Sequence, residues 1–189
     1  MRDDLSTETE QEILNRLNTL TSQEAQAEFM RCCGAKRWAR GMTARRPFHS
    51  RSTLLAGAES LWSLLTAADW REAFAHHPKI GDAESLPRKF ASTAVWISEE
   101  QSGITGANEA VLTELIKENA TYEAKFGYIY IVCARGKSAS ELLTILQTRL
   151  PNGPRTELRI AAEEQKKITR LRLEKLFTPA SSQERSPGA

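Results

Sequence analysis

Cysteine and histidine are both scarce in this chain, which has three of each among its 189 residues. The cysteines are Cys32, Cys33 and Cys133. Adjacent cysteines rarely pair with each other, and an odd number argues against a framework of disulfide bonds. No two of the cysteines have the spacing that is typical of a zinc site. The sequence therefore favours free thiols and a reducing compartment.

Long apolar runs and a large net charge are missing as well. No run approaches the roughly 18 residues that a transmembrane helix needs, and the polar N-terminus does not resemble a secretory signal. The formal net charge of +2 argues against nucleic acid or an anionic membrane as the main partner. The composition is that of a globular protein. We expect one domain over residues 1–178 and a disordered tail, rich in serine and proline, over residues 179–189.

Apolar residues recur at helical spacing through most of the chain, and this pattern predicts an all-α fold. We expect a single-domain bundle of about 8–9 helices, one of them near residues 92–102. Three pairs of residues have the spacing of a capping box, in which two side chains close the start of a helix. These pairs are Thr21 with Glu24, Asp69 with Glu72, and Ser138 with Glu141.

The run from Tyr128 to Cys133 departs from the helical pattern. It follows Gly127 and consists largely of residues that favour β structure. Periodicity does not distinguish an extended buried segment from the end of a core helix here. Both interpretations therefore stay open at the level of the sequence.

His77 is the first candidate for chemistry, because it directly precedes Pro78. A proline disfavours α geometry at the preceding residue, so His77 should lie where a helix ends. An imidazole held there can transfer protons near neutral pH, or it can simply hydrogen bond to a carbonyl of the helix. His76 should point elsewhere, and adjacent histidines do not provide the ligand spacing of a metal site. We therefore expect no metal.

Two further groups of polar residues are candidates. Glu100 and Gln101 are either part of a solvated acidic turn or a pair that hydrogen bonds to an amide- or urea-like ligand. The last predicted helix carries several cations, and one that faced inward would clamp a substrate carboxylate. These cations are Lys166, Lys167, Arg170, Arg172 and Lys175. The residues alone do not identify which of them faces inward.

Short motifs follow one another along the chain from about residue 10 to residue 177. They are Trp38 with Arg46-Pro47-Phe48, His77 to Gly81, Glu100 to Gly103, Asn119 to Gly127, Arg149-Leu150 with Asn152 and Glu157, and Lys167-Ile168 with Leu171 to Leu173. Their order and spacing together resemble the decarboxylases of 2-oxo-4-hydroxy-4-carboxy-5-ureidoimidazoline (OHCU). These enzymes complete the conversion of urate to allantoin.

The resemblance implies an all-α enzyme, usually a homodimer, that works on a small molecule without metal or organic cofactor. It implies that His77 is the catalytic acid and that Glu100, the second catalytic residue, holds the substrate together with Gln101. Pro78 matches a neighbour that contacts the substrate. Ile97 stands where the family often has a serine, so it cannot make that serine's polar contact.

The remaining substrate-binding residues follow from the same resemblance. Arg172 matches an arginine near the substrate. A backbone-lined wall of the site matches Tyr130, Ile131, Val132, Cys133 and Ala134.

We therefore expect a carboxy-lyase that converts OHCU to (S)-allantoin and CO2 without a cofactor. Animal members often end in a peroxisomal tripeptide and this chain does not, which favours a bacterial-type cytoplasmic protein. Two alternatives compete with this hypothesis. A helical interaction module predicts no effect on the products of urate oxidation. A metal-dependent hydrolase predicts metal in the purified protein and inactivation by a chelator.

Overall fold

The computed structural model describes residues 3–77 and 108–177. The regular structure of these residues is helical, with no β-strand among them, and the predicted all-α class is confirmed. The helices are α1 (Asp3–Thr19), α2 (Ser22–Cys32), α3 (Lys36–Ala44), α4 (Arg51–Trp62), α5 (Ala67–Phe74), α6 (Glu109–Phe126), α7 (Ala139–Arg149) and α8 (Pro154–Lys175). The helix predicted near residues 92–102 and the predicted tail lie outside the described residues.

Two of the three predicted capping boxes are confirmed. The Glu24 N–H donates to the Thr21 hydroxyl, and the Thr21 N–H donates back to the Glu24 carboxylate over 2.9 Å. Ser138 and Glu141 make the same reciprocal pair at the start of α7. In each box the two side chains accept hydrogen bonds from two backbone N–H groups that the start of a helix would otherwise leave without partners.

The third predicted box, Asp69 with Glu72, is wrong. Asp69 is the closing residue of a box that begins at Thr66, whose N–H donates to the Asp69 carboxylate over 2.8 Å. Helix α5 therefore begins at Ala67, before the position that was predicted. Threonine and aspartate both cap helices well, so the spacing alone placed the box three residues too late.

The chain divides into two compact units, Met1–Leu65 with Thr169–Ala189, and Thr66–Ile168. In the first unit, helices α1 to α4 surround an aromatic centre. The ring of Phe29 meets the rings of Trp38 and Phe48 nearly edge-on, with centroids 6.1 and 6.2 Å away. The Trp38 indole N–H donates to the Ala58 carbonyl over 3.0 Å, so this buried polar group has the partner it needs.

The second unit contains α5, α6, α7 and most of α8. Its core is also aromatic, and Tyr122 lies at the middle of it. The ring centroid of Tyr122 is 4.6 Å from that of Phe126, 5.9 Å from that of Tyr128 and 5.3 Å from that of Tyr130. Helix α6, which carries Tyr122, follows its N-cap Asn108, whose side chain accepts a hydrogen bond from the Ala110 N–H.

Helix α6 ends at Gly127, where the backbone turns into the left-handed region with a φ of 76°. Glycine adopts this conformation without steric cost. The run that follows, from Tyr128 to Cys133, is neither helix nor strand. Of the two interpretations left open above, the buried non-helical segment is therefore correct. The next helix, α7, begins only at Ala139.

Candidate active site

His77 lies just beyond the end of α5, as predicted from Pro78. The helix ends at Phe74, and the His77 N–H still donates to the Phe74 carbonyl over 3.1 Å. The His77 side chain is half-buried, whereas His76 is exposed. The His76 ring is held by its own helix, with Nδ1 3.0 Å from the Glu72 carbonyl oxygen. The two neighbouring imidazoles are therefore in different environments.

The end of α5 contacts the segment that follows α6. The ring of Phe74, which is fully buried, lies 5.2 Å from the ring of Tyr128 between centroids. Aromatic pairs at such distances add to the stability that burial alone provides. This contact joins the end of α5, three residues before His77, to the residue that lies two positions before the segment predicted to line the substrate site.

The predicted wall, residues 130–134, is buried along its whole length. Because it is neither helix nor strand, its backbone groups must find partners outside a regular ladder. Two helices supply them. The Arg149 Nη1 group at the end of α7 donates to the Ile131 carbonyl over 2.8 Å. From α8, the Glu164 carboxylate accepts a hydrogen bond of 2.8 Å from the Cys133 N–H.

Arg149 and Glu157 form a buried ion pair beneath this wall. Glu157 is fully buried and Arg149 is 5% exposed. Two nitrogens of the Arg149 guanidinium, Nε and Nη2, donate to Glu157 Oε1, with the Nε contact at 2.8 Å. The other carboxylate oxygen accepts from the Asn152 amide over 2.8 Å. The Tyr122 hydroxyl also donates to Oε1, so both oxygens of the buried carboxylate are satisfied.

This ion pair also sets the electrostatics of the tyrosines around it. Burial, followed by the hydrogen bond to Glu157, raises the pKa of Tyr122 far above its ordinary value. Burial likewise raises the pKa of Tyr130, whose ring centroid lies 4.9 Å from the Arg149 guanidinium carbon. Both hydroxyls are therefore neutral at any physiological pH, and they serve as hydrogen-bonding groups and not as general bases.

Glu164 is ionised although its side chain is only 15% exposed. Burial alone would raise the pKa of its carboxyl group, but the hydrogen bonds from Lys167 and from the Cys133 N–H outweigh burial and lower it. Lys137 binds the other backbone group of the same residue, because its ammonium donates to the Cys133 carbonyl over 2.8 Å. Charged side chains therefore hold the wall at Ile131 and at Cys133.

Arg172, the predicted substrate-binding arginine, is 3% exposed and lies in the other unit. It is the buried cation among those that the sequence left as alternatives, since Lys166, Lys167, Arg170 and Lys175 all retain more solvent exposure. Its charge acts on Cys32, where burial raises the thiol pKa to about 12 although the charge of Arg172 opposes this rise.

Four predicted site residues, Pro78, Ile97, Glu100 and Gln101, lie outside the described residues, so their roles stay predictions. Within residues 3–77 and 108–177, no group of three or more histidine, cysteine or acidic side chains is arranged to hold a metal ion. Over the same ranges, none of the helices combines the length and the apolar character that crossing a bilayer requires.

Sequence reasoning noted Arg149 and Glu157 as motif residues but assigned them no function, and it overlooked Glu164. The two partners of the ion pair lie on either side of the turn between α7 and α8. Their mutual burial follows from how these helices pack, which the spacing of eight residues does not reveal. The sequence offered one signal of this burial, which is a charged residue at a position that the helical pattern directs toward the core.

A protein-family model described as OHCU decarboxylase matches residues 18–174 of the chain. The chain is 37% identical over 153 residues to the uric acid degradation bifunctional protein TTL of Arabidopsis thaliana, an alignment that covers 80% of this chain and 47% of that protein. The chain thus spans about half the length of this plant relative. It is 31% identical over 133 residues to the OHCU decarboxylase of Amia calva, covering 70% of this chain and 75% of the relative.

Solved structures with the same fold extend these similarities. A crystal structure of an OHCU decarboxylase in the presence of (S)-allantoin superposes with a TM-score of 0.68 and is 35% identical, covering 80% of this chain and 98% of that one. A crystal structure of an (S)-allantoin synthase has a TM-score of 0.64 at 17% identity, with coverage of 86% of this chain and 53% of that chain. At that identity the second likeness concerns the fold alone.

Proposed function

The chain belongs to the OHCU decarboxylase family, and we propose that it converts OHCU to allantoin and CO2. The observation that carries this proposal is the contact between Phe74, at the end of α5 three residues before His77, and Tyr128, two residues before the buried wall. It gives a proton-transfer group and a wall of backbone groups a common rigid support. A small planar ligand rich in amide groups needs both.

The reaction can proceed without a cofactor, because the substrate itself can take up the electron pair that is released. Loss of CO2 breaks the bond between the carboxylate and the ring carbon, and the electron pair of that bond stays with the ring. The neighbouring imine carbon, which bears the ureido group, takes up this pair in a carbon-carbon double bond, and the imine nitrogen carries the charge. A proton then adds to the ureido-bearing carbon, and the hydroxyl on the carbon that lost CO2 gives up its proton to become the carbonyl of allantoin. The protein has to orient the carboxylate, stabilise the charge on the ring and deliver one proton to one face.

The predicted residues divide these tasks. His77 supplies the proton, and the half-buried position of its side chain favours an imidazole that is partly removed from water. Glu100 and Gln101 are proposed to hold the ureido and ring groups, and Pro78 and Ile97 to contact the substrate. Arg172 holds oxygens on which negative charge resides. The wall of residues 130–134 contributes backbone donors and acceptors.

The test compares His77→Asn with His76→Asn, its immediate neighbour, as the matched control. Freshly generated OHCU is supplied from the oxidation of urate, and the circular dichroism of the allantoin that forms is followed with time. We expect His77→Asn to lower kcat by about 10²- to 10⁴-fold, the usual contribution of a general acid. His76→Asn should stay near the wild-type rate, because the His76 ring is exposed and bonded to its own helix.

Far-UV circular dichroism and thermal melting establish that both variants are folded. A folded His77→Asn protein with near-normal turnover would remove His77 from the mechanism. Wild-type protein that leaves the spontaneous decay of OHCU unchanged would refute the function itself. In that case metal content and partner binding become the next measurements, since they separate a metal-dependent hydrolase from an interaction module.

We extend the proposal to the product, the assembly and the compartment. Delivery of the proton to one face gives a single enantiomer, which we infer to be (S)-allantoin. A homodimer is expected from the family resemblance, and light scattering on the purified protein tests it. Three buried, free cysteines support a reducing compartment such as the cytoplasm, and cell fractionation tests that assignment.

A further inference from the structure

The two peptide units on either side of Val132 are held by charged side chains from different helices. On one side, the Ile131 carbonyl accepts from Arg149 over 2.8 Å. On the other side, the Cys133 N–H donates to Glu164 over 2.8 Å. Because the segment belongs to no helix or strand, these two hydrogen bonds replace the regular ladder that would otherwise fix the direction of its backbone groups.

Peptide geometry turns these two bonds into a statement about Val132. A trans peptide unit is planar, and its C=O and N–H point in opposite directions. Both units are trans, since the cis bond that the structure contains lies at Arg46-Pro47. The Val132 N–H must therefore point away from Arg149, and the Val132 C=O must point away from Glu164. Among the described residues, neither group makes a hydrogen bond.

Val132 thus has one donor and one acceptor of fixed direction, because Arg149 and Glu164 hold the opposite ends of the two peptide units. An unsatisfied pair of this kind is costly in a buried segment, and Val132 is only 7% exposed. A ligand with a planar amide or urea group satisfies both atoms at once. The substrate of the proposed reaction carries a ureido group of this type.

Of the two side chains that hold these peptide units, Glu164 can be substituted without leaving a buried charge unpaired in the core. Loss of Arg149 would leave the fully buried Glu157 without its cation. Glu164 instead lies at the margin, with a side chain that is 15% exposed and paired with Lys167. It also differs from its neighbour Glu163, whose side chain is 59% exposed and pairs with Lys166. Glu163 therefore provides a matched control on the same helix.

We propose that Glu164 is a positioning residue for the decarboxylation. It holds the peptide unit between Val132 and Cys133 so that the Val132 C=O, together with the N–H of the same residue, faces the substrate. This inference rests on the proposed function, because it assigns Glu164 a part in that reaction. Glu164 acts through the backbone of the wall and does not itself touch the reacting atoms.

Three variants test the assignment. Glu164→Leu removes the acceptor, and we expect kcat/KM for freshly generated OHCU to fall about 10- to 100-fold, the range for losing a hydrogen bond to a charged group. Glu164→Gln keeps an oxygen that accepts from the Cys133 N–H, and it should recover kcat/KM to within about threefold of wild type. Glu163→Leu removes a carboxylate from the same helix without touching the wall, and it should match wild type.

The second readout does not depend on activity. In a ¹⁵N-resolved NMR spectrum, the amide resonances of Val132 and Cys133 should shift in Glu164→Leu and return in Glu164→Gln, while thermal melting reports whether each variant is folded. Unmoved amides in folded Glu164→Leu would overturn the anchoring. Moved amides with unchanged kcat/KM would overturn the part in catalysis. An inactive wild-type protein would instead refute the proposed function, and this inference with it, although the amide shifts would still establish the anchor.

Discussion

Removing both partners of the buried ion pair should cost less stability than the two single losses added together. Glu157→Leu leaves the Arg149 guanidinium at 5% exposure with the Ile131 carbonyl and the Tyr122 hydroxyl as its remaining partners. Arg149→Met leaves a carboxylate that is fully buried. An uncompensated buried charge costs about 3–5 kcal/mol, a large part of the roughly 5–15 kcal/mol that stabilises a typical domain.

The double variant Arg149→Met/Glu157→Leu removes both charges together. Its cost comes from the Tyr122 hydroxyl and the Asn152 amide, which lose their acceptor, and from the freed Ile131 carbonyl. Such groups cost about 1–3 kcal/mol each when they cannot reach water. The double variant should therefore be more stable than the sum of the single losses predicts, with a coupling energy of at least about 2 kcal/mol.

Urea unfolding followed by tryptophan fluorescence and far-UV circular dichroism gives the free energies of unfolding for this cycle. The exposed pair of Glu114 and Lys117, at 3.1 Å, provides the control cycle, and its coupling should stay below about 1 kcal/mol. Additive single losses at Arg149 and Glu157 would show that the two charges do not depend on each other. The account of the network beneath the wall would then be wrong.

Two further predictions follow from the perturbed titrating groups. The pKa of Glu164 is lowered in the folded protein from an ordinary 4.5, so its stabilising effect is complete above about pH 4.5 and is lost as the pH falls through the folded pKa. The gap in the free energy of unfolding between wild type and Glu164→Gln should therefore be larger at pH 6 than at pH 3, and a gap that does not change with pH contradicts this. Burial raises the pKa of Cys32 to about 12 and raises that of Cys133 as well, so the folded protein should resist a thiol reagent such as Ellman's reagent at pH 7.5. In denaturant all three cysteines should react, and rapid labelling of the folded protein would contradict the burial of these thiols.

Helix starts were largely predictable because a few side chains near each start close the first turn. Thr21 with Glu24, and Ser138 with Glu141, form boxes that depend on four consecutive residues and on little else. The error at Asp69 has the same local origin, since Thr66 and Asp69 both resemble caps and the sequence does not rank them. One end was predictable where the backbone itself is constrained, before Pro78, whereas the sequence left open whether a helix continues past Gly127.

The buried charges were not predictable in the same way. Arg149 and Glu157 are separated by the turn between α7 and α8, and their burial depends on how the two helices meet. In the sequence Glu164 looks like one more acid on a strongly charged helix, and it differs from Glu163 in the structure by its burial and by the hydrogen bond from the Cys133 N–H. Local patterns predict which segments are helical, whereas the partner of a charged side chain depends on distant contacts.

The proposed recognition of the substrate through backbone groups requires an interruption of the helices. Within a helix, nearly every N–H and C=O is already paired with another residue of the same helix. Here the interruption is the run after Gly127, whose β-favouring side chains bury without forming a helix. Buried peptide groups outside a helix are costly unless they find partners, and Arg149, Glu164 and Lys137 bind peptide groups of Ile131 and Cys133. The irregular run and the buried charges are therefore parts of one arrangement, in which the charged side chains bind the peptide groups that no helix satisfies.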